Sequence, residues 1–265
     1  MTETGMSARS ILDARSRSKL TGAFTIDTVL EHFALITYAV PPERVRELIH
    51  PAFELRTVEI DGLPNALLSV VPFLDRDFGF QNLPSPRFSF GQTNYRIYVR
   101  YQGEECAWFL GTTLASRLLI VPRDLWRLPW YSATSTFDTV FNAAESRYDR
   151  YRLRTESAWG AADVSLADTG RSVGLLSGFR DLTEQQLVLT HPVAGYFWRT
   201  NQTLGSYRVW HDRMKLTVGS VIVARFGLLE RLKIVTAEEM LRPHSVLIQP
   251  RIPFQIEVPP REVKI

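Results

Sequence analysis

Apolar residues along this chain fall mainly into short runs of alternating, β-branched or aromatic character, bounded by glycine, proline and asparagine. That is the pattern of strands joined by turns. "FALITYAV" (33–40) predicts a strand, and "PPERVRELI" (41–49), with prolines at its start and Val45, Leu48 and Ile49 at helical spacing, predicts a short helix. "RTVEI" (56–60) and "NALLSVVPF" (65–73) flank Asp61-Gly62, the signature of a tight hairpin turn that Pro64 loosens. A second hairpin is predicted from "FSFGQTNYRIYVRYQGEECAWFLG" (88–111), turning at Gln102-Gly103-Glu104.

The rest continues in the same style. "RYDRYRLRTESAWGAADVSLA" (147–167) and "GYFWRTNQTLGSYRVWHDRMKLTVGSVIVARF" (195–226) read as further strands. Between them, Thr183 and Gln186 stand at capping-box spacing and predict a turn or two of helix. The proline-punctuated "PHSVLIQPRIPFQIEVPP" (243–260) reads as an edge strand. Residues 1–22 read as a polar, mobile arm, and 23–265 as a single α+β domain dominated by antiparallel sheet.

One strand carries an informative row. Gln92, Asn94, Arg96 and Tyr98 share one face, and Thr93, Tyr95, Ile97 and Val99 the other. Such a row is either the wet face of a sheet or the polar wall of an interior, and alternation alone favours the wet face.

Composition narrows the classes. With 265 residues, 45% hydrophobic and 22% charged, the chain can fold around a substantial core, and 11% aromatics favour a β-rich core or an aromatic-lined pocket. The net charge of +3 is dispersed apart from arginine-rich stretches at 15–19 and 147–154. Arg150, Arg152 and Arg154 alternate with Tyr151 and Leu153 as on one strand face, so no nucleic-acid partner is expected. Cys106 is the only cysteine, which excludes an intramolecular disulfide and a thiolate metal cluster; it reads as a small buried residue. His32, His50, His191, His211 and His244 show no metal-ligand spacing, and no phosphate-binding glycine loop or nucleophile elbow occurs, so neither metal nor cofactor is expected. No segment has the apolar length of a signal peptide or a membrane span, which makes a cytoplasmic protein the expectation.

"HFALITYAVPPERVRELIHPAFEL" (32–55), "NALLSVVPF", "FGQTNYRIYVR" (90–100), "WFLGTTLASRLLIVPRDLWRLPWY" (108–131) and "PHSVLIQP" (243–250) together resemble the acetoacetate decarboxylase-like superfamily, and within it the YqjF-like branch of unassigned function. The resemblance is scattered over residues 30–260 and is most specific up to Tyr131. It implies a strongly curved antiparallel sheet closing into a cone or barrel, a few outer helices, an internal small-molecule pocket, and a tendency to form homo-oligomers. It also turns the Gln92, Asn94, Arg96, Tyr98 row inward, as a pocket wall.

The resemblance implies one absence. The decarboxylases carry Arg-Glu, four residues, then Pro-Lys-Lys, whose first lysine forms an imine with the substrate ketone. Here Arg123-Asp124 is followed by residues 125–128 and then Pro129-Trp130-Tyr131. The frame is kept and both lysines are gone. An imine needs an amine held partly neutral, which neither indole nor phenol supplies. Of the four lysines, Lys19, Lys215, Lys233 and Lys264, only Lys215 falls within a predicted strand, with no sequence sign of a partner that would lower its pKa. Decarboxylation through an imine is therefore not expected.

The candidate ligand-binding residues are Gln92, Asn94, Arg96, Tyr98, Arg123, Trp130 and Tyr131. Trp130 and Tyr131 suit an apolar or aromatic ligand, with filling of the cavity as the alternative. Arg123 and Asp124 form either a structural ion pair or an anion site. Two functions stand: a protein that binds a small molecule without imine chemistry, or an enzyme using acid–base chemistry on a carbonyl or carboxylate compound, with Asp124 or Tyr131 moving the proton.

Overall fold

The computed structural model describes residues 7–22, 24–82, 86–116 and 121–265. Its strands are β1 (Thr25–Val40), β2 (Glu54–Leu55), β3 (Thr57–Ile60), β4 (Leu63–Phe80), β5 (Phe88–Tyr101), β6 (Glu104–Leu114), β7 (Trp130–Ser132) and β8 (Thr134–Asn142) in the first half. The second half adds β9 (Arg147–Glu156), β10 (Ala162–Ser172), β11 (Gly195–Trp198), β12 (Leu204–Tyr207), β13 (Val209–His211), β14 (Thr217–Phe226), β15 (Ser245–Glu257) and β16 (Arg261–Val263). Three α-helices accompany them among the described residues: α1 (Ala8–Arg17), α2 (Leu182–Leu189) and α3 (Gly227–Arg231).

The strands join one sheet in the order β16-β12-β11-β6-β5-β4-β1-β15-β14-β10-β9-β8. Pairing along it is antiparallel except where β11 runs parallel to β6, and β7 is also parallel to β6. Chain-adjacent hairpins set much of this order. Asp61 and Gly62 (φ 52° and 75°) turn β3 into β4, and Gln102 and Gly103 (φ 51° and 79°) turn β5 into β6. Both turns use the paired positive φ of tight hairpins.

The sheet is strongly curled, yet its hydrogen-bonded path is not closed, because β16 and β8 stand at its two ends among the described strands. Closure into a ring, implied by the resemblance, is replaced by face-to-face contact. A Cβ on Gly91 of β5 would stand 2.7 Å from Cβ of Ser135 on β8 and 3.1 Å from the Phe137 ring. Bulges interrupt the β1–β4, β4–β5, β5–β6, β8–β9 and β10–β14 registers, and each such step increases local twist.

The central strands are buried on both faces. From β1, β4 and β5, Ile36, Tyr38, Leu68, Val70, Tyr95 and Ile97 enter the larger core cluster, while Leu35, Leu67, Val71 and Tyr98 enter a second one with Val188 and Leu189 of α2. The row from Gln92 to Tyr98 lies on the second side and is no wet face, as the resemblance implied.

Four local expectations meet a different structure. The helix expected over 41–49 is two 3-10 turns, Pro42–Arg44 and Arg46–Leu48, which bury Val45 and Ile49. Helix α2 is capped by Asp181, whose carboxylate accepts from the backbone N–H of Thr183 and Glu184, so Thr183 is not the cap. Strand β15 lies between β1 and β14 in the sheet order, so it is no edge over its whole length. Its pairing with β14 covers only Leu247 and Ile248, and that with β13 only residues 254–256, so Pro250 and Pro253 fall in a stretch flanked by β1 alone, which is where a missing N–H is tolerated. Residues 8–17, within the segment expected to be a polar mobile arm, form α1. Its Leu12 is buried, Arg15 donates to the His191 carbonyl at 2.6 Å, and the Ser16 carbonyl accepts from the Trp210 indole at 2.9 Å.

Candidate functional site: a cavity beneath the polar row of β5

On the α2 side of the sheet, β4, β5 and β6 and the segments covering them enclose a cavity of about 370 Å³. Its walls are largely aromatic and aliphatic: Phe33, Phe73, Phe109, Trp126, Leu128, Trp130 and Phe254 are among them. Strand periodicity explains why the polar groups are grouped. Gln92, Asn94 and Arg96 follow one another on the same face of β5, and Asp75 projects from β4 in register with Val71 and Phe73.

Gln92 and Asn94 are tied to each other and to the sheet. The Gln92 amide donates to Asn94 Oδ1 at 2.9 Å, and the same oxygen accepts from the Thr112 hydroxyl at 2.8 Å. Arg96 donates through Nη2 to the Leu189 carbonyl at 2.7 Å and to the Tyr98 hydroxyl at 3.3 Å, with its guanidinium over the Tyr98 ring at 5.3 Å. Its buried Nε has no hydrogen-bond partner. No carboxylate pairs with Arg96 among the described residues, so its charge meets only the Leu189 carbonyl, the Tyr98 hydroxyl and the Tyr98 ring in a mainly apolar enclosure.

Asp75 is 1% exposed. Thr28 Oγ1 lies 3.0 Å from its Oδ1, while Oδ2 has no partner. Burial pushes the carboxyl up to about 7, opposed in part by the Thr28 hydrogen bond. His211 closes another wall. Its Nδ1 and Nε2 each stand 2.7 Å from a carbonyl oxygen, of Asp212 and Thr190 respectively, and its ring stacks on Phe254 at 5.3 Å. Burial lowers its pKa, and the two carbonyls act the other way. A neutral ring has one N–H and donates to only one of these carbonyls, but both nitrogens abut protein oxygens, so His211 offers a ligand its ring face. Neighbouring His191, 4.4 Å from it between ring centroids, is held down to about 3 by burial and by His211 itself.

The cavity gathers four of the residues expected from sequence: Gln92, Asn94, Arg96 and Trp130. Tyr98 lies behind Arg96, fully buried, its hydroxyl 2.8 Å from Ser69 Oγ and 3.3 Å from the Leu189 carbonyl. Tyr131 takes the opposite face from Trp130 and stacks on Trp159 at 4.1 Å and 6°, away from the cavity lining. Arg123 and Asp124 are exposed residues of the π-helical turn Val121–Leu125, where Arg123 Nε and Asp124 Oδ1 pair at 2.7 Å. That hydrogen bond holds the Asp124 carboxyl below its usual range.

Sequence reasoning passed over Asp75, His211 and Tyr207. For Asp75 a signal existed: it continues the period-two row of Val71 and Phe73, which puts a carboxyl on an apolar face. His211 and Tyr207 reach the cavity only because β13 pairs with β15 and β12 with β11, contacts distant in sequence. Among the described residues no group of three or more His, Cys, Asp or Glu side chains could hold a metal ion. Cys106 is buried, and burial pushes its thiol up to about 12. No helix among the described residues is long and apolar enough to cross a membrane.

The profile of DUF2071, described as an uncharacterized conserved protein, matches residues 28–253. The chain belongs to this family. No curated protein matches the sequence. Among solved structures, this DUF2071 chain is similar to the enduracididine biosynthesis enzyme MppR complexed with the condensation product of pyruvate and imidazole 4-carboxaldehyde, at a TM-score of 0.58 and 14% identity over 92% of this chain and 90% of that one. It is similar to acetoacetate decarboxylase from Legionella pneumophila subsp. pneumophila str. Philadelphia 1, at a TM-score of 0.54 and 14% identity over 100% and 98% of the two chains. An acetoacetate decarboxylase-like enzyme from Sphingomonas wittichii RW1 aligns at a TM-score of 0.58 and 8% identity over 92% and 94%. At such identities the likeness establishes the fold, and the DUF2071 chain has the acetoacetate decarboxylase-like one.

Proposed function

We propose that this DUF2071 protein binds, in the cavity beneath β5, a small organic anion with an apolar or aromatic body, and that it does so without imine chemistry. The observation that carries this reading is Arg96. Its cation lines a mainly apolar cavity with no carboxylate beside it, and its Nε is unpartnered. A part-buried guanidinium without a counter-charge costs free energy, and a carboxylate from a ligand relieves that cost while forming a charge-assisted hydrogen bond. The aromatic walls suit an apolar body, and the amides of Gln92 and Asn94 are further polar contacts along it.

Two observations support the absence of imine chemistry. The described lining holds no lysine, and Lys215, the one lysine in a strand-like sequence, is exposed. The MppR structures complexed with pyruvate and with a condensation product of it support a small carboxylate as a ligand for the fold.

The test uses 2-naphthoate as probe and the fluorescence of Trp126 and Trp130, both in the wall. Binding in wild type and a loss of about 10- to 100-fold in Arg96→Leu is expected, the worth of a hydrogen bond to a charged group. Equal affinity in the two proteins, or no binding to either, overturns the reading.

A second reading, acid–base chemistry on a small carbonyl or carboxylate compound, draws on Asp75. A carboxyl pushed up to about 7 exchanges a proton near neutral pH. Asp124 and Tyr131 are not in the cavity lining, so under this reading Asp75 takes the place they were expected to hold.

A further inference from the structure

Asp75 is a second point of chemical demand in the cavity, and it is not part of the Arg96 site. In the β4–β5 register, Asp75 stands opposite Phe90. Arg96 is six residues further along β5, roughly 20 Å at about 3.3 Å per residue. The residues nearest Asp75 in the strand pattern are apolar: Phe73 two positions before it, Leu30 opposite it on β1, and Phe78 beyond the bulge. Among the described residues no cation pairs with it.

The hydrogen-bond geometry around Thr28 fixes which oxygen is free. Thr28 Oγ1 lies 3.0 Å from Asp75 Oδ1 and 3.0 Å from the Arg76 carbonyl. A hydroxyl has one proton and can donate to only one of them. Both contacts become hydrogen bonds if the acid proton sits on Oδ1: Oδ1 donates to Thr28, and Thr28 donates to the Arg76 carbonyl. Oδ2 is then a carbonyl oxygen, an acceptor. If Asp75 is ionised, Oδ2 is an acceptor too. With the proton on Oδ1, or with Asp75 ionised, Oδ2 is a buried acceptor without a donor on a residue that lines the cavity, and buried polar groups in native structures are rarely left unsatisfied.

We propose that Asp75 Oδ2 forms a second polar subsite, which takes an N–H or O–H donor carried on the apolar body of the cavity's ligand. This rests on the reading of the cavity as a binding site. It narrows the ligand class from an apolar anion to one bearing a hydroxyl or amino group apart from its acidic group. Burial that keeps the acid neutral to about 7 is consistent with an acceptor that needs no counter-ion.

The experiment measures binding of 2-naphthol, 2-naphthylmethylamine and 2-methoxynaphthalene to the full chain by tryptophan fluorescence. The first two have a donor, and the third has a similar body and no donor. Expected is about tenfold tighter binding of at least one donor compound than of 2-methoxynaphthalene, with the preference lost in Asp75→Leu. The tighter of the two donors identifies a hydroxyl or an amine as the group taken.

Equal binding of all three to wild type overturns the subsite, and because that comparison needs no variant, a poorly folding Asp75→Leu protein does not blunt it. Donor preference that survives in a folded Asp75→Leu protein overturns it as well. The broader reading is judged separately by 2-naphthoate. If 2-naphthoate binds through Arg96 while the donor preference is absent, the subsite fails and the anion site stands. If none of the four probes binds, both fail.

Discussion

Replacing Asp75 by Asn should stabilise the protein, and increasingly so as pH rises. Asn keeps the volume and the hydrogen-bonding ability of a neutral acid and removes its ionisation. In the folded protein, burial raises the carboxyl from 3.8 to about 7. The folded state therefore holds this proton more tightly than the unfolded state, and stability is lost as pH climbs from the unfolded value through the folded one, then levels off. The gap of about 3 pKa units corresponds to about 4 kcal/mol in full, of which about 3 kcal/mol develops between about pH 4 and pH 7. His32, His191, His211 and His244, all lowered by burial, work in the opposite direction, because they favour the fold once pH exceeds the unfolded histidine value. Only the difference between wild type and variant isolates Asp75. Urea unfolding of both proteins at a series of pH values measures it. A stability difference that widens by about 3 kcal/mol over that interval is expected. A difference independent of pH would refute the assignment of a buried, neutral acid at this position.

Other perturbations probe the frame around the cavity. Arg56, 11% exposed, lies 2.6 Å from Glu184 and 3.3 Å from Glu105, whose side chains are 12% and 16% exposed. Among the described residues, Arg56→Met leaves Glu184 with the largely exposed Arg180 and Glu105 with the partly exposed Arg100, and a loss of about 3 kcal/mol in urea unfolding is expected. Gly91→Ala places a methyl against Ser135 and Phe137 of β8; a cost of about 1–3 kcal/mol tests whether curling brings β8 onto β5, and an unchanged midpoint argues against that contact. Asp124→Asn, by contrast, should leave 2-naphthoate affinity unchanged, since Asp124 is exposed and, among the described residues, pairs only with Arg123.

Much of the architecture is legible in the chain because it is local. The turns at Asp61-Gly62 and Gln102-Gly103 are written in residues that tolerate positive φ, and they fix the β3–β4 and β5–β6 hairpins. The row of Gln92, Asn94 and Arg96 was readable as one face, but which side faced a cavity depended on the curl of the sheet; the resemblance supplied that, and the residues alone pointed the other way. Proline in β15 suggested an edge because a missing N–H is usually exposed. Here β15 is interior in the sheet order, yet Pro250 and Pro253 fall in its stretch flanked by β1 alone, so the edge character is local.

The site was less legible. Trp130 and Tyr131 are adjacent, so strand alternation sends them to opposite faces, and only Trp130 reaches the cavity. Arg123 and Asp124 keep the spacing of the decarboxylase frame, yet both side chains are exposed and their charges satisfy each other. Asp75 was visible as a carboxyl in apolar alternation, whereas His211 and Tyr207 depend on pairings formed only in the folded chain.

Native mass spectrometry of the gently purified protein, followed by denaturation and identification of what is released, tests most directly that the cavity holds a small organic anion through Arg96. One molecule of an organic acid per chain in wild type, absent from Arg96→Leu, is the predicted result. A wild-type protein that is empty and also fails to bind 2-naphthoate would contradict it, as would a released molecule that is retained equally by Arg96→Leu.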